Sequence, residues 1–133
     1  MFSAKLKQKL YFDHIVLTVG NIIRTTEFYS KILGDPDYKD KSSIMYHIGL
    51  SKLFFTLPDN TLLTNDKFDA NRIGLEHIAI GIQTLDDLME IGKTLERYSI
   101  KNSGIHIDKH SSMEKIWLDD PDGIRLEFYI RPD

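Results

Sequence analysis

A seven-residue motif occurs twice in this chain, its two histidines 63 positions apart. The first copy reads Asp13-His14-Ile15-Val16-Leu17-Thr18-Val19, the second Glu76-His77-Ile78-Ala79-Ile80-Gly81-Ile82. Each is an acid-histidine pair leading into an apolar, β-rich run. Two copies of one strand in 133 residues predict two copies of one module. A histidine at the same place in both predicts that the copies share a site.

The rest of the chain repeats the same grammar. Phe12 to Val19 reads as a strand. Asn21 can cap a helix to about Leu33, with Ile22, Thr26, Tyr29 and Leu33 on one stripe. Gly34 and Pro36 stop it. Short strands follow near Tyr38, over Ile44 to Ile48, and over Leu53 to Leu57. Pro58 to Gly74 is polar and punctuated, with Asn65 and Asn71 among its turn formers, and reads as a linker over a cavity mouth. The second half gives a strand over Leu75 to Ile82 and a helix capped by Thr84 and running to about Tyr98. Strands are then expected over Ser99 to Asn102, Glu114 to Asp119 and Ile124 to Ile130. Asp120-Pro121-Asp122-Gly123 is a turn between the last two. The expected organisation is one α+β domain over 1–133: a βαβββ module at about 11–57, a linker at about 58–73 and a second module at about 74–131.

Composition excludes several classes. With 41% hydrophobic residues the chain can bury a core, so disorder is not the reading. A net charge of -3 gives no basic field for nucleic acid, and Lys5, Lys7 and Lys9 read as a solvated leading segment. The absence of cysteine rules out disulfides and thiolate ligands or nucleophiles. No apolar run suits a membrane span, and residues 1–12 lack the apolar stretch of a signal peptide, so the expected location is the cytoplasm. No glycine-rich phosphate loop argues for a nucleotide cofactor.

Side chains alternate along a strand. His77 therefore shares a face with Ala79 and Gly81, and His14 with Val16 and Thr18. The bulky residues Ile78, Ile80 and Ile82, and Ile15, Leu17 and Val19, face the other way. The second copy in particular leaves room beside its histidine. In the last strand Glu127 shares a face with Arg125 and Tyr129, while Leu126, Phe128 and Ile130 point to a core. A glutamate in such a strand is costly unless paired or metal-bound. Taken singly, either histidine reads first as structural, and Glu127 as a partner of Arg125. Taken with the repeat, His14, His77 and Glu127 are the two-histidine, one-carboxylate set that holds a divalent metal on one face.

With these motifs, together with Phe28-Tyr29-Ser30-Lys31-Ile32-Leu33-Gly34, Gly74-Leu75-Glu76-His77-Ile78-Ala79 and Asp120-Pro121-Asp122-Gly123 leading to Glu127, the chain resembles the vicinal oxygen chelate superfamily over residues 11–131. That superfamily includes glyoxalase I, extradiol dioxygenases and fosfomycin- and bleomycin-resistance proteins. The resemblance implies paired βαβββ modules forming a curled mixed sheet around a central cavity. It implies a divalent metal (iron, manganese, nickel or zinc) on His14, His77 and Glu127, and a small substrate with adjacent oxygens. It also implies a homodimer, whose site is either intrachain or shared between two copies. The fourth family position falls on Thr56 or a neighbour, where glyoxalases often carry glutamate. Without a carboxylate there, Glu127 would have to serve as both ligand and base in a glyoxalase (a lactoylglutathione lyase). Three-ligand sites look more like those of the dioxygenases, whose signature His110, Ile116, Pro121, Gly123 and Glu127 fit in spacing, although Ile107 stands at its glycine and Trp117 at its tyrosine.

His47 and His110 are candidate proton carriers, or half-exposed strand and loop residues, and His106 lies in the same polar loop as His110. Thr56, Phe54, Trp117 and Tyr129 are candidate substrate contacts, or packing. Two functional classes stay open: a metal-dependent dioxygenase or glyoxalase-like lyase or isomerase, and a metal-free module that sequesters an aromatic or antibiotic compound, as in bleomycin resistance.

Overall fold

A computed structural model describes residues 4–60 and 66–131. Residues 61–65 of the expected linker, Asn65 among them, lie outside the described residues, as do both chain ends. After a short helix α1 (Ala4–Lys7), the first module runs β1 (His14–Thr18), α2 (Ile22–Leu33), β2 (Tyr38–Lys39), β3 (Ser43–Ile48) and β4 (Ser51–Thr56). The second runs β5 (Ile78–Ile82), α3 (Leu85–Arg97), β6 (His106–Ile107), β7 (Glu114–Asp119) and β8 (Arg125–Ile130).

Each module forms its own four-stranded mixed sheet, in orders β1-β4-β3-β2 and β5-β8-β7-β6. The first strand of each is parallel to the last, and the remaining neighbours are antiparallel. The two sheets have one topology, as the repeated motif requires. No helix among the described residues is long and apolar enough to cross a membrane.

Local chemistry explains the helix limits. The Asn21 side chain accepts from the Arg24 N–H at 3.0 Å, and Thr84 from that of Asp87 at 3.1 Å, so each helix start has its free amide capped. Asp86 and Asp87 add favourable charge at the α3 N-terminus. Gly34 closes α2 at φ 80°, a left-handed geometry that glycine adopts without strain. The buried stripe of α2 passes through Thr25 and Tyr29. The expected Thr26 instead stays half-buried and donates its hydroxyl to the Ile22 carbonyl.

The strand expected over Ser99 to Asn102 is absent. Asn102 makes only one bridge, to Leu118, and the paired segment is β6. The Asn102 amide bonds the Ile100 carbonyl and its oxygen accepts from Gly104 N, so the side chain takes over the backbone's hydrogen bonding and turns the chain. His106 therefore lies on a short strand, not in a loop.

The core joins Leu17, Val19, Tyr29, Ile44, Leu53 and Phe55 of the first module to Leu88, Leu95, Ile116, Leu118, Leu126 and Phe128 of the second. Each such side chain, fully buried, contributes about 1.5–3 kcal/mol. Polar contacts fix the angle between the modules. The turn between β7 and β8 reaches α2: the buried Tyr29 hydroxyl donates to Asp120 at 2.8 Å, while Asp122 accepts from Gly20 N at 3.1 Å and Arg24 Nη2 at 3.0 Å. Gly123 turns at φ 84°, with the Phe68 carbonyl close by. Phe68 N donates to the Asp122 carbonyl, so the described end of the linker docks on this turn. Burial raises the Asp120 pKa, opposed by the Tyr29 hydroxyl and the turn's own amides.

Tyr29→Phe removes the hydroxyl and leaves a buried carboxyl oxygen short of a donor. We expect a loss of about 2 kcal/mol, read from the urea midpoint at unchanged slope.

Candidate metal centre

Strand register sets which residues meet on the open face of each sheet. In the second sheet Ala79 lies opposite Glu127, Gly81 opposite Tyr129, Trp117 opposite Glu127, and Lys115 opposite Tyr129. Small residues on β5 thus flank larger polar ones on β8. His77 immediately precedes β5 on the same face, and its Nε2 lies 3.4 Å from Glu127 Oε2. Glu127 is buried, and its other oxygen takes the Lys115 ammonium at 3.2 Å. Lys115 also reaches Asp108 at 3.1 Å. Asp108 further accepts from the Tyr129 hydroxyl at 2.9 Å and from the backbone amides of His110 and Ser111 at 3.0 Å each.

Both motif histidines are held in the same way. His77 Nδ1 lies 2.7 Å from Glu76 Oε1, and His14 Nδ1 lies 2.6 Å from Asp13 Oδ2. An ionised carboxylate can only accept, so in the neutral ring Nδ1 carries the hydrogen and Nε2 offers a lone pair. Carboxylates oriented this way are the usual outer partners of metal-binding histidines. His77 Nε2 and Glu127 Oε2 are then two acceptors facing each other, a pair that suits a shared cation. The donor types fit a divalent metal as two of its ligands.

The third expected ligand stands apart. Among the described residues no group of three or more histidine and acidic side chains is placed to hold a metal. The His14 side chain is 52% exposed and packs edge-on against Phe54, ring centroids 5.8 Å apart. Phe54 also corrects the alignment of the fourth position. Val16, two residues after His14, pairs with Phe54, just as Ala79, two after His77, pairs with Glu127. Phe54, not Thr56, is the counterpart of Glu127. Thr56 lies one repeat further along and shares a 2.7 Å hydrogen bond with Ser43.

The other candidates fall in distinct places. His47 is exposed and lies opposite Lys52, which lies opposite His14, so the three form a row across the first sheet. His106 lies opposite Lys115 on the second sheet. His110 is exposed, its backbone tied to Asp108. Trp117 has one ring face covered: the Arg125 guanidinium sits 3.6 Å from the ring centroid and is itself held by Asp119 at 2.9 Å. The direct contacts of Arg125 are thus with Trp117 and Asp119, and Glu127 acts on it only through space. Trp117 and Arg125 line a groove of about 540 Å³ with Phe28, Ile100, Lys101 and Pro121.

Four residues of this cluster carry no role in the sequence reading. Asp13 and Glu76 are visible there as the acid of each acid-histidine pair. Lys115 shares Glu127's face by alternation and is a charge beside the core residues Ile116 and Leu118. Asp108 sits in a loop without periodicity and gives no signal.

The chain's likeness to known proteins agrees with this architecture. No protein-family model matches it. It is 26% identical over 123 residues to a trivalent organoarsenical cleaving enzyme of Bacillus sp. (strain MD1), covering 89% of this chain and 71% of the relative. A candidate glyoxalase from Bacillus halodurans superposes with a TM-score of 0.80 at 18% identity, over 95% of this chain and 99% of that one. A glyoxylase/bleomycin resistance protein/dioxygenase domain from Frankia sp. EAN1pec gives 0.71 at 19% identity, over 91% and 97%. The chain therefore has the paired βαβββ fold of the vicinal oxygen chelate proteins, as its motifs imply.

The Lys115 ammonium beside Asp108 holds its carboxyl well below the usual carboxylate range; burial opposes this, and the Tyr129 hydroxyl and two backbone amides add to it. A lowered folded-state pKa gives stability that is complete above the unfolded value of about 3.9 and lost as pH falls through the folded one. Asp108→Asn should therefore be less stable than the native chain by a constant margin from pH 7 to about pH 5. That margin should shrink progressively below about pH 4, as read by urea unfolding across the range.

Proposed function

We propose that this protein is a metal-dependent enzyme of the vicinal oxygen chelate type, acting on a small substrate with two neighbouring oxygens. The observation that carries this is the 3.4 Å approach of His77 Nε2 to Glu127 Oε2, with His77 oriented from behind by Glu76. His77 and Glu127 would hold a divalent ion (iron, manganese, nickel or zinc), with His14 as the third protein ligand. Bound there, the ion would polarise the substrate oxygens and lower the proton affinity of a hydroxyl on them. Asp13 and Glu76 fix the tautomer and direction of the two rings. Tyr129 and the loop amides hold Asp108, and through it Lys115. In this reading His110, whose backbone is tied to Asp108, is the candidate proton carrier, and His47 is the corresponding candidate on the first sheet.

His14 is supplied by a second copy of the chain in this reading. Its side chain and Val16 lie open on one face, each 52% exposed, and β1 and β5 are edge strands of their sheets. An open ligand beside apolar surface suits a symmetric partner. The relative's activity on trivalent organoarsenicals transfers poorly. Trivalent arsenic is a soft centre that favours thiolates, and this chain has no cysteine. Adjacent oxygens remain the better substrate chemistry for a nitrogen and carboxylate site.

A second reading, a metal-free binder of a small aromatic compound, is supported by one observation: Lys115 already satisfies Glu127 without a metal.

Purified tag-free protein should carry about one transition metal per chain by elemental mass spectrometry, and both His14→Ala and Glu127→Ala should lose it. Mixed dimers of the two variants separate the geometries. A site shared between copies leaves one intact centre per mixed dimer, whereas an intrachain site leaves none. No metal in the wild type, even after anaerobic reconstitution with iron(II), manganese, nickel and zinc, would overturn the enzyme reading in favour of the binder.

A further inference from the structure

Lys115 bridges two carboxylates in the interior of the second sheet's open face. Its ammonium lies 3.1 Å from Asp108 and 3.2 Å from Glu127, and the three side chains are only 18%, 10% and 8% exposed. The two contacts are not equivalent. Asp108 has its own framework in the Tyr129 hydroxyl and the amides of His110 and Ser111. Among the described residues, Glu127 has Lys115 on one oxygen and the His77 ring on the other. Lys115 can let go of Glu127 and remain paired to a fixed anchor.

We propose that Lys115 is a built-in stand-in for the metal: it neutralises and aims Glu127 while no ion is bound, and yields Glu127 to a divalent cation when one arrives. This rests on the metal reading above. The charge balance explains why such a residue is present. Two buried carboxylates without a cation repel each other and lose hydration. One ammonium removes both problems. An incoming dication does the same for Glu127, after which the ammonium is a like charge nearby and opposes binding. Lys115 therefore stabilises the metal-free fold at the expense of metal affinity. A lysine that only oriented Glu127 for the metal would do the opposite, since loss of an orienting partner weakens binding about 10–100-fold.

The test uses the full-length protein and Mn²⁺ as probe, with melting temperature in chelator and in excess Mn²⁺, and the Mn²⁺ dissociation constant by calorimetry at low ionic strength. Lys115→Met should melt several degrees below the wild type in chelator, narrow that gap in Mn²⁺ because the loss at Glu127 is made good while the loss at Asp108 is not, and bind Mn²⁺ about ten-fold tighter or more. Lys115→Arg keeps the positive charge and should therefore not show the tighter Mn²⁺ binding of Lys115→Met. If Lys115→Met does not fold without metal, Lys115→Met combined with Asp108→Asn removes one charge of each sign and carries the same measurements. Equal or weaker Mn²⁺ binding by the methionine variant, or a stability gap that Mn²⁺ does not narrow, overturns the stand-in role while the metal site survives. Failure of the wild type and all variants to bind Mn²⁺, iron(II), nickel or zinc overturns the metal reading and this inference with it.

Discussion

The contact on which the arrangement of the two modules depends is a pair of turn carboxylates set into a helix of the other module. Asp120 and Asp122 belong to the tight turn joining β7 and β8, yet their partners Tyr29 and Arg24 lie in α2 and Gly20 just before its cap, some ninety or more residues earlier. An apolar core alone would let two similar sheets slide, because burial is non-directional. A buried hydroxyl donating to a carboxylate allows one position only. The same turn feeds directly into β8, the strand that carries Glu127. The element that locks the modules together therefore also sets the depth of the candidate ligand.

The repeat is faithful in backbone and broken in chemistry. Both sheets have the same strand order, and both histidines lean on the acid before them. At the position facing them, one module presents phenylalanine and the other glutamate. Of these two equivalent places, only the one in the second module offers a carboxylate. Phe54 against the His14 ring makes that half of the site an apolar wall. Charge is concentrated instead on the second sheet, where Asp108, Lys115, Glu127 and His77 form one connected set.

Most of the architecture was legible because it rests on periodic and local signals. Helix caps at Asn21 and Thr84, the glycine stop at 34 and the Asp-Pro-Asp-Gly turn each involve residues within a few positions of one another. The sequence does not announce β6, because Asn102 bonds its own neighbours and side-chain competition of this kind leaves no mark on hydrophobic alternation. The expected ligands were visible as a repeated dipeptide and a carboxylate in an apolar strand. Thr56 was the wrong counterpart of Glu127 because parallel register, not sequence alignment of two strands with different flanks, decides which residue faces which. The Arg125–Trp117 stack and the Asp108–Lys115 pair link residues whose meeting depends on the sheet, and no spacing announced them.

The contrast in exposure between the two halves of the candidate centre is its most informative property. Glu127 and Asp108 are buried within one chain and compensated there, so the second sheet is complete as a charged assembly. His14 and Val16 belong to a sheet whose open face has no comparable buried charge among the described residues. A compact ammonium suits the compensated half better than a guanidinium would: it serves two carboxylates as a point charge, without the planar fork that would commit it to one of them. The arrangement therefore couples two separate requirements. In the proposed reading, the second sheet stays stable with or without an ion, and the first needs a cover before its histidine can join the centre.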